Sequence, residues 1–533
     1  MPQATSPCDN DKVPLIPFQQ PMQHPHTLYT TLQAQIMRLP PEIMSAVFLE
    51  LAPTCEDLLL LTKICQGWRT LALSDPLLWT YVDMTRHHLA KLWIQRSQEA
   101  PLHIRLLQPT DAEMVRLAVP LTSRIASLEL SLNSHADPLV AALLEMLAQP
   151  APLLRSLDVR CMEHNGMPCV QCSLPTAFLG SGDTRMPVLS HLKLRLPLVS
   201  VSWTLSLRFT LSTVLYLDIE SCQRDDTRIP PIEDFLEALN SAPLLKVLHL
   251  GSCLRRNDQS NSRRIFLLAS LIELSVAGTT TTSCSNFLEH VSTPQLISIA
   301  LSCDQMGLDW VDDADVNIKD FDALLCSIPP QIMSHQLSRL KIETLSGQRF
   351  SRLSLTGWFH HVMPFTGPVL AVQNTFRNRA LNPMDLTPLL YMAISQLNCS
   401  QLRWVCIETT ATCSLDTTLL LAALQTSSSE SRIEELQIVG GCANQIVGAL
   451  ADPDEHGGVI FRHLKYLHIR DVDIHSTGCY SLLLLALDRR SSCGLPVEKL
   501  ILGPGCHVDE ECRRKLQKYT AVTTYQVDDL LSC

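Results

Sequence analysis

The hexapeptide Leu154-Arg155-Ser156-Leu157-Asp158-Val159 places apolar side chains at its first, fourth and sixth positions and polar ones between them. The same spacing returns as Val214-Leu215-Tyr216-Leu217-Asp218-Ile219 and as Leu464-Lys465-Tyr466-Leu467-His468-Ile469. Twelve such hexads begin at residues 125, 154, 189, 214, 245, 271, 296, 337, 402, 433, 464 and 497. Alternation at positions four and six is the pattern of a short, half-buried strand. The mean interval is about 34 residues, a repeat in which each unit buries its apolar side only by stacking on its neighbours. The long gap between the hexads at 337 and 402 holds a degenerate repeat or an insertion, with Phe350-Leu353-Leu355 and Val369-Leu370 as candidates. The repeat count within 343–401 stays open.

Helix-like apolar clusters precede several hexads: Leu139 to Leu147, Phe235-Leu236-Leu239, Leu419 to Leu424 and Leu482 to Leu487. A doubly wound fold also alternates strand and helix, but it rarely repeats one hexad twelve times. The pattern resembles the leucine-rich-repeat solenoid, here irregular because its units exceed the usual 20–29 residues. That resemblance implies an α/β fold with parallel strands on a concave face and helices on the convex face, spanning 120–520, with 521–533 as a C-terminal end. Cys161, Cys222, Cys253 and Cys303 follow hexads where that family places Asn or Cys, which implies a structural role for them.

The N-terminal end reads differently. Residues 1–35 carry six prolines among Gln, His and Thr, a spacing that defeats a regular helix and predicts a flexible tail in which His24 and His26 are polar surface. After Pro40-Pro41, the residues Ile43, Met44, Val47, Phe48 and Leu51 fall on one helical side until Pro53. Leu58, Leu61, Ile64, Cys65, Trp68 and Leu71 continue at helical spacing, and Ser74-Asp75-Pro76 ends the run. Two or three short helices of this kind expose more apolar surface than they bury among themselves. Leu39-Pro40-Pro41-Glu42-Ile43, Ile64-Cys65-Gln66-Gly67-Trp68-Arg69 and Asp75-Pro76-Leu77-Leu78-Trp79 resemble an F-box over 38–84. Ile64 stands for the usual valine, and Gly67 within a helix costs up to about 1 kcal/mol. The resemblance implies docking on a Skp adaptor. Leu39, Pro40, Ile43, Val47, Leu58, Leu61, Cys65 and Trp68 then face that adaptor or the small core behind it, and 85–119 forms a linker helix and transition.

Composition narrows the chemistry. The 533 residues are 46% hydrophobic with a net charge of −11, which suits a large core and argues against a generic nucleic-acid binder. No apolar run is long enough for a membrane span. The start, Met1 to Asp11, lacks the basic and apolar regions of a secretory signal. The 20 cysteines therefore read as reduced thiols, and the expected location is cytoplasmic, nuclear or both. Cys161, His164, Cys169 and Cys172 have zinc-ligand types at short spacing, but the repeat already explains Cys161 and the order matches no zinc module, so a cysteine-bearing loop is the preferred reading, zinc stays open and no cofactor is assigned. The acids from Asp309 to Asp315 lack the glycine and closing glutamate of a calcium loop and read as solvated. His87-His88 and His360-His361 are adjacent pairs that do not converge on one metal. Phosphate-loop, nucleophile-elbow and His-Glu-x-x-His motifs are absent from the sequence.

An F-box followed by leucine-rich repeats resembles the non-catalytic substrate receptor of Skp–cullin–F-box ubiquitin ligases, similar to the large fungal F-box set. The resemblance implies a Skp adaptor partner, a cullin reached indirectly, and an unidentified protein substrate. The alternative is a repeat scaffold or sensor that binds the adaptor without directing ubiquitylation. Hexad positions three, five and seven point away from the apolar side. They offer Arg160, Lys193, Arg195, Tyr216, Asp218, Arg339, Lys341, Trp404, Tyr466 and Arg470 as a candidate substrate face for a partner of mixed charge.

Overall fold

The structure is a computed structural model that describes residues 39–51, 55–107, 112–132, 142, 145–146, 149–161, 186–196, 211–221, 229–255, 264–304, 314–346, 350–359, 368–377, 386–410, 416–426, 432–452, 459–475 and 478–524. The tail at 1–35, the cluster beyond Cys161 and the acids 309–313 lie outside that set. The chain divides into two compact units, residues 1–82 with 88–100, and residues 83–87 with 101–533.

The first unit is helical: Pro41–Leu51, Cys55–Ile64, Gln66–Ser74, a 3-10 turn Pro76–Trp79 and His87–Arg96. The spacing from Leu58 to Leu71 suggests one continuous helix, yet the backbone breaks at Cys65, which is extended (φ −156°, ψ 168°). Its sulfur accepts the Trp68 N–H at 3.4 Å and so caps the next helix. Gly67 falls in that helix's first turn, where its backbone freedom matters less than in an interior. Arg69 Nε donates to the Thr62 carbonyl at 2.8 Å and ties the two helices across the break. Phe48 meets Trp68 at 4.9 Å between ring centroids, and Trp79 meets Trp93 edge-on at 4.7 Å. The Trp79 indole N–H donates to the Ala72 carbonyl, and the Arg96 guanidinium lies 4.4 Å over its ring.

The second unit is mixed α/β and built on a large, parallel-rich sheet. Leu102–Leu107, Ile125–Leu132, Ser156–Cys161, His191–Leu196, Tyr216–Ser221, Val247–Gly251, Glu273–Thr279 and Ser298–Asp304 pair in succession, each parallel to the last. Hexad position four meets position four throughout: Leu128, Leu157, Leu192, Leu217, Leu248, Leu274 and Ile299 form one column. The three apolar residues of every one of the twelve hexads are at most 3% exposed. The backbone repeats too. The N–H of position one donates to the carbonyl three residues earlier, as Leu189 to Met186 and Val214 to Leu211. The carbonyl of position two then accepts two successive N–H groups of the next hexad, as Leu215 does from Lys246 and Val247.

Consecutive hexads do not always neighbour one another. Leu370–Arg377 lies parallel against Ser298–Asp304, Phe350–Phe359 runs antiparallel beside it, and Leu337–Ser346 runs antiparallel beside that. The hexads at 296 and 337 are thus two strands apart, and the long gap is an insertion into the sheet. The columns survive because Leu370, Gly357 and Leu340 continue position four while Val372, Leu355 and Ile342 continue position six. A Cβ at Gly357 would come 2.9 Å from Leu337 Cδ2, so a larger residue there would push that side chain aside. Trp404–Thr409, Glu435–Gly440, Tyr466–Arg470, Lys499–Leu502 and Ala521–Thr524 resume the parallel order.

Strands at both ends extend the sheet past the expected limits of 120 and 520. In Leu102–Leu107 the first hexad position is Pro101, and in Ala521–Thr524 the sixth is Thr524, so neither matches the apolar pattern. Helices Thr281–Glu289, Ala314–Ser327, Thr387–Gln396, Thr417–Thr426, Ala443–Ala451 and Cys479–Ser492 pack one on the next along the sheet. Arg490, fully buried, donates to the carbonyls of Ile460 at 2.7 Å and Phe461 at 2.9 Å. Burial pulls its guanidinium down to about 10. No helix among the described residues is long and apolar enough to cross a membrane.

Gly440 combines φ +85° with a Cβ position 2.1 Å from the Thr409 carbonyl oxygen, whereas Gly494, at φ +73°, has open space. Gly494→Ala should cost about 1–2 kcal/mol of backbone strain alone. Gly440→Ala should cost more than that in the same denaturant titration, because the Thr409 carbonyl must also move. Equal losses would show that the close approach is unimportant.

Candidate functional site

Two surfaces gather the residues that the sequence singles out, one on each unit. In the helical unit the F-box anchors divide by role. Leu58 and Leu61 are buried and belong to the small core, with Met44 and Phe48. Cys65 and Trp68 are half-buried and hold the helix break described above. Leu39, Ile43 and Val47 are exposed, with half of Ile43 open to solvent, and Pro40 is exposed beside them. Leu51 continues the i, i+4 row of Ile43 and Val47, and Leu60 and Ile64 are exposed to 58% and 56% on the following helix. Leu51, Leu60 and Ile64 were not among the expected contacts. Their signal was a surplus: Pro41–Leu51 is apolar on two adjacent rows, and the core needs only the Met44 and Phe48 row.

On the sheet, the side opposite the apolar columns carries the candidate substrate face. Asp158, Lys193, Asp218 and His249 align across four strands, and Arg160, Arg195 and Glu220 align one step on. Arg160 bridges Asp158 at 2.6 Å and Glu129 at 3.1 Å, and Arg105 reaches Glu129 from the other side at 3.2 Å. The hydrogen bond to Asp158, partly offset by burial, raises the Arg160 guanidinium above its ordinary value. Arg195 pairs with Glu220 at 3.1 Å. The Lys193 ammonium lies 5.2 Å over the Tyr216 ring, His191 stacks on that ring at 5.8 Å, and the Tyr216 hydroxyl meets His249 Nδ1 at 3.1 Å. Burial is the first cause of the raised Tyr216 phenol.

A second cluster forms farther along. Arg339, Trp404, Glu435, Tyr466 and Lys499 share one row, and Lys341, Cys406, Gln437 and His468 the next. Lys341 pairs with Glu343 and, at 3.1 Å, with Glu408, while His468 meets Glu435 at 3.1 Å. Trp404 is half-buried and stands edge-on to Trp358 at 6.3 Å. Arg339 is exposed, Tyr466 half-buried, and Arg470 has a buried Nε without a hydrogen-bond partner. Trp358 was missed because it lies on the inserted antiparallel strand. The strict burial alternation from Ser351 to Trp358 is the trace it leaves in sequence.

Of the charges expected to be available to a partner, Arg160, Arg195 and Lys341 are ion-paired with neighbours on their own or the adjacent strand, and Lys193 lies over a ring. Such pairs contribute a few tenths to about 1 kcal/mol each and fix side-chain positions. Of the hexad cysteines, Cys253 and Cys303 are buried; Cys253 donates to the Ile219 carbonyl at 3.1 Å, and its thiol is pushed far up by burial. Of Cys161, His164, Cys169 and Cys172, only the backbone of Cys161 lies among the described residues.

A family model for the F-box-like domain matches residues 36–85, and this chain carries that domain. Comparison of the chain with curated proteins gives no match.

Glu435 offers a pH test of the second cluster. The hydrogen bond from His468, opposed by burial and aided by Trp404, holds its carboxyl below the usual glutamate range. A carboxyl lowered by folding stabilises the native state above its unfolded pKa, and that contribution fades as pH falls through the lowered value. The melting-temperature gap between the unaltered protein and Glu435→Gln should be full at pH about 6 and shrink toward pH about 3. A gap that widens on acidification would contradict this assignment.

Proposed function

We propose that this protein is the substrate-recognition adaptor of a Skp–cullin–F-box ubiquitin ligase and performs no bond chemistry itself. The observation that carries the reading is the exposed apolar row Leu39, Ile43, Val47 and Leu51 on the F-box-like domain. Domains of this family generally bind Skp-type adaptors, and a contiguous apolar row on so small a unit needs a cover. The cullin is reached through the adaptor, and the chain works in the cytoplasm, the nucleus or both. The second unit acts as a leucine-rich-repeat solenoid whose polar sheet side holds the client. Twelve hexads on twelve strands, in continuous register over 127–251 and again over 404–470, support that reading. So do Trp404, Trp358, Tyr466 and Arg339, residue types that supply most binding energy in protein interfaces. Holding the client near the transferring enzyme raises its effective concentration, which is the whole contribution of such a receptor.

The test uses the full chain and a purified Skp-type adaptor. Ile43→Asp with Val47→Asp puts two charges on side chains that the fold leaves exposed, so the fold should persist. Capture should weaken roughly a hundredfold or more, as expected when interface anchors are lost. Undiminished capture by the folded variant would remove the adaptor assignment. In cells, Trp358→Ala with Trp404→Ala should release ubiquitylated clients while adaptor and cullin still co-purify. Adaptor capture with no cullin and no ubiquitylated client would instead favour a scaffold.

A further inference from the structure

Three side chains able to bind a metal converge near the last helix, away from both surfaces described above. His475 lies in the turn after the strand Tyr466–Arg470, where its backbone N–H donates to the Asp473 carboxylate at 3.1 Å. Asp509 precedes the helix Glu510–Leu516 and accepts the Cys512 N–H on Oδ1 at 2.6 Å. Cys512 sits in the first turn of that helix. An imidazole nitrogen, a carboxylate oxygen and the Cys512 sulfur all lie within 4.8 Å of one another. Tyr480 braces two of them: its ring stacks on His475 at 6.0 Å, and its hydroxyl donates to the Cys512 carbonyl at 3.5 Å.

We propose that His475, Asp509 and Cys512 form a zinc site with its fourth position open to water. The donor set is one soft sulfur, one imidazole and one carboxylate, the mixture zinc accepts and the hard cations do not. Ligands around tetrahedral zinc stand about 3.5 Å apart. The three ligand atoms already lie within 4.8 Å of one another, so closure to that spacing needs side-chain adjustments of about an ångström, with Cys512 held in the helix and Asp509 by its cap. The Cys512 backbone N–H and its side chain both hydrogen-bond the Asp509 carboxylate and hold it below its ordinary range. Burial pushes the Cys512 thiol up, the opposite of an activated nucleophile. A bound cation would replace the thiol proton, so zinc uptake releases that proton and strengthens as pH rises. The site would tie the turn at 471–475 to the last helix. It is independent of the adaptor and client surfaces.

The experiment titrates chelator-stripped, full-length protein with zinc and, as a spectroscopic stand-in, with cobalt(II). One zinc per chain should bind, and cobalt should give a thiolate charge-transfer band. His475→Ala, at an exposed position that cannot disturb the core, should weaken zinc binding at least tenfold. Cys512→Ser should abolish the cobalt band, and Cys169→Ser should leave both signals intact. Failure of the unaltered protein to bind zinc would overturn the proposal. So would unchanged binding by His475→Ala, or loss of the bound zinc in Cys169→Ser.

Discussion

The second unit depends on one constraint: position four of each strand must lie over position four of the next. The carbonyl of hexad position two accepts two N–H groups from the following hexad and locks that alignment before the strand begins. A slip of one residue would turn every apolar side chain of a strand toward water. With three residues per hexad buried, each contributing on the order of 1.5–3 kcal/mol, such a slip cannot be repaired locally. The connections between strands then vary freely in length, and the insertion at 350–377 is accepted because its strands supply Leu355, Leu370 and Val372 to the same columns.

The polar side of the sheet follows from that alignment. Unshifted register brings positions three, five and seven of successive strands side by side, so charges there meet their neighbours whether or not a partner is bound. Complementary residues have settled into Arg105–Glu129–Arg160–Asp158, Arg195–Glu220 and Lys341 between Glu343 and Glu408. The helical unit solves the converse problem. Its core is closed by Phe48, Leu58, Leu61, Trp79 and Trp93, and the apolar residues left over stay on the outside.

The strands were legible because their signal is local: six residues suffice to declare which side is buried. The same locality hid Leu102–Leu107 and Ala521–Thr524, whose alternation lacks one apolar member but whose neighbours complete the pairing. Spatial order at 296–402 was not legible, since hexads carry no record of which strand they will meet. Arg490 looks like one of two basic residues at a helix end, and only the fold takes it to the Ile460 and Phe461 carbonyls. The F-box motif was readable from spaced anchors, yet Cys65, Trp68 and Trp79 mark how the module is held together. The exposed Leu51 and Leu60 carry no motif, and Ile64, a motif residue, was not expected to be exposed.

Paired charges change what a binding face can use. A partner that brings its own carboxylate to Arg160 must displace Asp158 or Glu129, so the exchange yields little net energy while it fixes orientation. Aromatic groups face no such competition. Trp404 and Trp358 meet edge-on and remain half-exposed, with Tyr466 in the row beyond Glu435, so new contact area is available there without breaking an ion pair. Aromatic surface free of ion pairs on this sheet is therefore concentrated at the strands from 337 to 470, where the inserted hairpin adds Trp358. The ion pairs of the earlier strands hold their side chains in fixed positions along the register.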